Sequence, residues 1–286
     1  MMPNNIHHHP MRLFPVDKYT REVANNIYQH VKGLPIISPH GHTDPKWFSE
    51  NKSFANAHEL LVLPDHYLLR MFYSQGISLA ELGVSSGQGE VVADARSAWL
   101  CFAKYFYLFR GTPSSIWLNH VFSEVFNIDC ALNESTADYY FDAIGEALTK
   151  AEFLPRNLFT QFNIELLATT EGATDSLEHH KQIQQSVWQG RVITTYRPDD
   201  VINPFSGNFQ NKLKEFQLLT GENTFTWQGY LNAHRKRRLD FIEMGATATD
   251  HGHASAQTAY LTNTESKALF EKILTGTFSE QEATMF

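Results

Sequence analysis

The stretch Leu34-Pro35-Ile36-Ile37-Ser38-Pro39-His40-Gly41-His42 decides the reading of the fold. An apolar, β-branched run meets a proline and gives way at once to side chains able to do chemistry, the pattern of a short, buried strand feeding a functional loop. Three further segments share that character: Ile164-Glu165-Leu166-Leu167-Ala168-Thr169-Thr170, Arg191-Val192-Ile193-Thr194-Thr195-Tyr196, and Ala246-Thr247-Ala248-Thr249-Asp250 just after Gly245. Helical patterns separate them. Asp175 is placed to cap a helix through Leu177-Glu178-His179-His180, and a second helix runs from Trp227 to Met244, closed by Gly245. Between the first two strands, about residues 54–159 read as a long helical insertion, with Trp99, Phe102, Phe106 and Phe109 at helical spacing.

Strand, helix, strand, helix implies a parallel α/β sheet. In such sheets the chemistry sits at the C-terminal ends of the strands. The chemically capable residues fall there: His40 and His42, Thr170-Glu171, Arg197-Pro198-Asp199, and Asp250-His251-Gly252-His253. No glycine-rich phosphate fingerprint follows the first strand, so no nucleotide cofactor is expected.

Composition narrows the class. Of 286 residues, 42% are apolar and 19% charged, as in a folded globular chain. No apolar run is long enough to span a bilayer, and Met1–Pro10 lacks the apolar core of an export signal, so a cytoplasmic protein is expected. Cys101 and Cys130 lie in apolar surroundings and are expected reduced and buried. The net charge of −8 disfavours nucleic acid and acidic membranes as partners; an anionic substrate would need a local arginine. The run His234-Arg235-Lys236-Arg237-Arg238 reads as a solvated helix face, and His7-His8-His9 as an incidental tract rather than a metal site.

Three clusters carry the candidate chemistry. Side chains two apart on a strand point the same way, so His40 and His42 could both face one metal, with Gly41 leaving room for a ligand. With 14 histidines, chance alone gives roughly 0.7 such pairs, so the weight rests on their position at a strand end. Asp65-His66-Tyr67 offers two proton-relaying groups, but taken alone it reads first as a polar patch at a helix end. Arg197 at the mouth of the third strand could clamp a carboxylate with a planar fork, or could pair with Asp199 or Asp200.

The order and wording of Ser38-Pro39-His40-Gly41-His42, Pro64-Asp65-His66-Tyr67, Asp175-Ser176-Leu177-Glu178-His179-His180 and Arg197-Pro198-Asp199 resemble the uronate isomerases of the amidohydrolase superfamily. The likeness runs over about residues 30–286. It implies the N-terminal part of a distorted (β/α)8 TIM-like barrel, residues 1–286 forming an incomplete catalytic domain with the helical insertion after strand one. It implies one divalent metal, usually zinc, held by His40 and His42 together with an aspartate from the last strand, which this sequence does not reach. It implies that His66 and Tyr67 line the substrate, with Tyr67 carrying the proton and His66 tuning it, and that Arg197 helps bind the sugar acid. Asp250, His251 and His253 would stand behind the metal ligands. The implied partner is a small hexuronate, and a homo-oligomer is compatible with the likeness. Two rivals stand beside it: a lactonase-like metal-dependent hydrolase of the same superfamily, and a non-catalytic sugar-binding or regulatory fragment. Against the hydrolase, no lysine lies between Lys236 and Lys267 to bridge two metals.

Overall fold

The computed structural model describes residues 11–85, 87, 92–252 and 258–286. The His7-His8-His9 tract and His253 lie outside the described residues. The chain divides into two compact units: one takes the chain up to Leu34 together with Lys52–Leu158, the other Pro35–Asn51 together with Phe159–Phe286.

The first unit is helical. Its longer helices are Lys18–Val31, His66–Ser74, Ala95–Tyr105, Pro113–His120 and Ala137–Leu148. The aromatic spacing read from the sequence becomes its core: Trp99, Phe102, Phe106 and Phe109 are all buried. Trp99 packs on Phe102 and Phe122 and donates its indole N–H to the Ala137 carbonyl at 2.9 Å, so the ring is buried without stranding its polar atom. The two cysteines are free, but Cys130 is exposed and Cys101 only half-buried, contrary to the expectation of two buried thiols. The Cys130 carbonyl instead accepts from the buried Tyr140 hydroxyl, which anchors that loop through its backbone.

The second unit holds a three-stranded parallel sheet in the order β1-β2-β3, with β1 Ile36–Ser38, β2 Ile164–Gly172 and β3 Arg191–Arg197. The first strand is shorter than Leu34–His40 because prolines bracket it: Pro35 and Pro39 cannot donate to a ladder. Nor is it buried, as Ile36 and Ile37 both remain exposed. The expected fourth strand is reduced to one parallel bridge, Tyr196 to Thr249. Thr247, Ala248 and Thr249 are exposed, so these small side chains bury nothing, and strand preference acts mainly through packing. Gly245, with φ of +92°, makes the turn that delivers them to β3.

Helix Trp227–Glu243 forms where expected, capped by Thr226. Its basic run is not a solvated face. His234 and Arg237 are buried, while Arg235, Lys236 and Arg238 are exposed. Helical periodicity separates them: positions 234 and 237, three apart, share the inner face with Tyr230 and Phe241. Tyr196 of β3 meets His234 Nδ1 through its hydroxyl at 2.7 Å, which fastens the helix to the sheet. Arg237 donates to the carbonyls of Ala173 (2.9 Å) and Asp175 (2.8 Å), clamping the loop after β2. Asp175 does not cap the following helix, Glu178–Gln185. It turns back to accept from the Gly172 amide at 2.7 Å, and Leu177, at φ +57°, occupies the cap without a side-chain bond.

Burial, with the Arg238 charge adding to it, pushes the His234 pKa down to about 4 from its ordinary 6.5. Between those values the unfolded chain binds the proton more readily than the folded one. The stability contributed by a neutral His234 is therefore present above pH 6.5 and is lost as pH falls toward 4. His234→Gln should show a shallower fall of melting temperature across that window than the wild type; identical profiles would refute a neutral buried imidazole.

Candidate functional site

The mouth of the sheet is built from the loops that leave β1, β2 and β3. Since β1 ends at Ser38, the two histidines are not placed by strand alternation. The loop after Pro39 brings them together instead: the rings of His40 and His42 stand edge to face with centroids 4.9 Å apart. A Cβ at Gly41 would point to the Ala168 carbonyl 3.4 Å away, so this glycine faces the backbone of β2 rather than a ligand.

Asp250 completes the cluster. Its Oδ2 lies 2.8 Å from His40 Nδ1 and 3.4 Å from the Thr170 hydroxyl, and its amide donates to the Tyr196 carbonyl at 3.0 Å. Burial works to raise the Asp250 pKa. The facing His40 and the charge of Arg197 outweigh it and hold the carboxyl below the usual range. An ionised Asp250 keeps the proton of His40 on Nδ1 and leaves Nε2 for a ligand.

Arg197, the last residue of β3, donates from Nε to Asp199 Oδ2 at 2.8 Å, so the structural pairing weighed from the sequence is made. The same Asp199 oxygen accepts from the Gly252 amide at 2.8 Å, and His251 Nδ1 lies 3.9 Å from its partner oxygen. A Cβ at residue 252 would sit 2.8 Å from Asp199 Oδ2 and 2.9 Å from Arg197 Nη2, so any larger residue would have to displace the ends of this ion pair. Asp200 turns the other way, accepting from Thr174 at 2.8 Å.

His66 and Tyr67 belong to the helical unit. Asp65 caps helix His66–Ser74, accepting from the amides of Tyr67 (2.8 Å) and Leu68 (3.2 Å). The two side chains therefore leave the first turn together, with ring centroids 4.3 Å apart, and both are exposed.

A cleft of about 360 Å³ opens beside His42, walled by Asp44, Glu171, Asp175, Ser176 and His179. Asp44 and His179 were not singled out by residue type. Asp44 carries a local signal, an aspartate before Pro45 that caps helix Pro45–Glu50, whereas His179 is placed by a tertiary contact with the Ser49 hydroxyl at 2.9 Å.

Two imidazoles and a neighbouring carboxylate are the donor chemistry of a divalent cation such as zinc. Among the described residues, no three His, Cys, Asp or Glu side chains are arranged to hold one. The pair His40 and His42, with Nε2 of His40 left open by Asp250, fits part of a coordination shell.

The chain gathers an imidazole pair and a carboxylate at the C-terminal mouth of a parallel α/β sheet, the end at which open sheets of this class bind their ligands. Residues 13–286 match the family described as glucuronate isomerase, and the chain belongs to that family. It is 55% identical over 278 residues to the uronate isomerase of Phenylobacterium zucineum, covering 97% of this chain and 58% of that one. With the uronate isomerase of Xanthomonas axonopodis pv. citri the identity is 52% over 279 residues, covering 97% and 59%. The chain thus spans about six-tenths of the length of these relatives. Among solved structures, the glucuronate isomerase from Caulobacter crescentus superposes with a TM-score of 0.94 at 52% identity, over 98% of this chain and 58% of that one. The uronate isomerase from Thermotoga maritima gives 0.82 at 29% identity, over 92% and 56%. No helix of the described residues is long and apolar enough to cross a membrane.

Proposed function

We propose that the protein is a cytoplasmic aldose–ketose isomerase that interconverts D-glucuronate with D-fructuronate and D-galacturonate with D-tagaturonate. The observation that carries the reading is the family match over residues 13–286, which includes every candidate site residue. The accompanying fold reading makes β1 to β3 the first strands of a distorted (β/α)8 barrel, with about residues 54–159 as an insertion.

In the open-chain substrate a base takes the C2 proton, the O2 proton passes to O1, and a cis-enediolate forms. Returning the proton to C1 gives the ketose. Tyr67 is the proposed proton carrier, with His66 beside it, and the Arg197 guanidinium receives the sugar carboxylate. His40 and His42 would hold one divalent metal, with Asp250 orienting His40. When bound, the metal polarises substrate oxygens. The test is isomerisation of both uronates by the full-length protein, with metal analysis of the same preparation. Absence of turnover on both by metal-replete protein would end the reading.

Arg197→Lys should lower kcat/KM by about ten- to a hundredfold, the worth of a charge-assisted fork at about 1.5–3 kcal/mol. Metal content should not change, since arginine is no ligand. If Arg197 serves only Asp199, the variant will instead lose thermal stability and keep its kinetics.

A further inference from the structure

Glu171 stands near the C-terminal end of β2, and its carboxylate is unusually placed. Only 8% of the residue is exposed. Oε2 is fully engaged: it accepts from the Thr169 hydroxyl at 2.9 Å and from the Thr194 hydroxyl, and His180 Nε2 lies 3.7 Å behind it. The hydrogens of this cluster order themselves. Thr169 has one proton, for which Glu171 Oε2 at 2.9 Å is a nearer acceptor than the Ile193 carbonyl at 3.2 Å; either use leaves His180 Nε2 to donate to the Thr169 oxygen at 2.9 Å. That choice leaves Nδ1 of His180 bare, and Nδ1 is the buried ring atom without a hydrogen bond.

Oε1 has a different position. No hydrogen bond reaches it among the described residues, and it is not one of the sealed, unsatisfied atoms. Glu171 lines the cleft beside His42. A buried carboxylate thus has one oxygen locked by two threonines and the other presented to a cavity of about 360 Å³. Two hydroxyls, an imidazole and the strand are more support than a solvated surface acid requires. The second oxygen is not sealed from the cleft, so a donor on a bound ligand can meet it there in place of water.

The donor follows from the charge of the walls. Asp44 and Asp175 share the cleft with Glu171. Such walls repel the carboxylate end of a uronate and favour its hydroxyls, which donate. We infer that Glu171 Oε1 accepts a hydrogen bond from a hydroxyl of the bound uronate, making Glu171 a substrate-specificity residue beside His42. This rests on the isomerase reading above.

Glu171→Gln isolates the point. The amide oxygen can still accept from Thr169 and Thr194, while the cleft receives an NH2 donor in place of an acceptor. The full-length variant should show KM raised by about ten- to a hundredfold for the preferred uronate. Its metal content should match the wild type and its melting temperature should not fall, because a buried charge has been removed. Deoxy analogues of the uronate identify the hydroxyl: the one lacking it should bind the wild type at least about tenfold more weakly and the variant no worse than the parent sugar. Unchanged KM in Glu171→Gln, or a lower melting temperature with intact kinetics, overturns the inference. Should the glutamine protein fail to fold, Glu171→Asp keeps the charge and withdraws the oxygen, so an unchanged KM there overturns it equally. A wild-type enzyme inactive on both uronates sinks the isomerase reading, and this inference with it. Wild-type turnover with indifferent variants sinks only the inference.

Discussion

Tyr67→Phe should lower kcat for both uronates by about 10²- to 10⁴-fold, the usual worth of a positioned proton carrier. The ring, its place in the first turn of helix His66–Ser74 and its contact with His66 all survive the change. Only the hydroxyl goes. That hydroxyl makes no hydrogen bond among the described residues, and Tyr67 is 66% exposed, so folding should be indifferent to its loss. KM and metal content should stay near the wild-type values, because a group that acts in the transition state leaves ground-state binding alone. Solvent-exchange of the C2 proton gives an independent readout: it should slow in parallel with kcat. A variant with normal turnover would reduce Tyr67 to what its sequence neighbourhood also permits, a polar residue at a helix start.

Removing both imidazoles should have an effect of similar size for another reason. His40→Ala with His42→Ala should take metal content to background and kcat/KM down by about a thousandfold, as expected if polarising substrate oxygens is worth about 4 kcal/mol. Asp250→Asn is the graded control. It keeps both rings but exchanges the carboxylate that faces His40 Nδ1 for an amide, and should cost about 10- to 100-fold in metal affinity. Full metal content in the double variant would move the metal elsewhere. An unchanged Asp250→Asn would leave that aspartate as a fastening between the 250 turn and the Tyr196 carbonyl.

Much of the local structure was legible along the chain. The β2 and β3 segments announce themselves by β-branched runs, and each strand continues one or two residues past the expected end, into Glu171-Gly172 and Arg197. Those extra residues carry the polar side chains, because a parallel ladder still bonds backbone where the side-chain pattern has already turned polar. The Trp227–Glu243 helix was legible too, but its buried face was not. A run of five basic residues looks solvated until His234 finds Tyr196 and Arg237 finds two loop carbonyls. The Asp175 cap failed similarly: an aspartate before a helix has two nearby amides to choose from, and Gly172 won.

The sequence by itself determined the parallel sheet, the aromatic core of the helical unit, and the residue types gathered at the strand ends, since these depend on periodicity and local propensity. Only the tertiary structure decided that His40 and His42 meet through a loop rather than a strand, that Asp250 faces His40, that Arg197 is tied to Asp199, and that Glu171 turns one oxygen inward and one to a cleft. Each of those is a choice between hydrogen-bond partners far apart in the chain or competing within a turn. Such choices are settled by distance and burial, quantities that residue order alone does not contain.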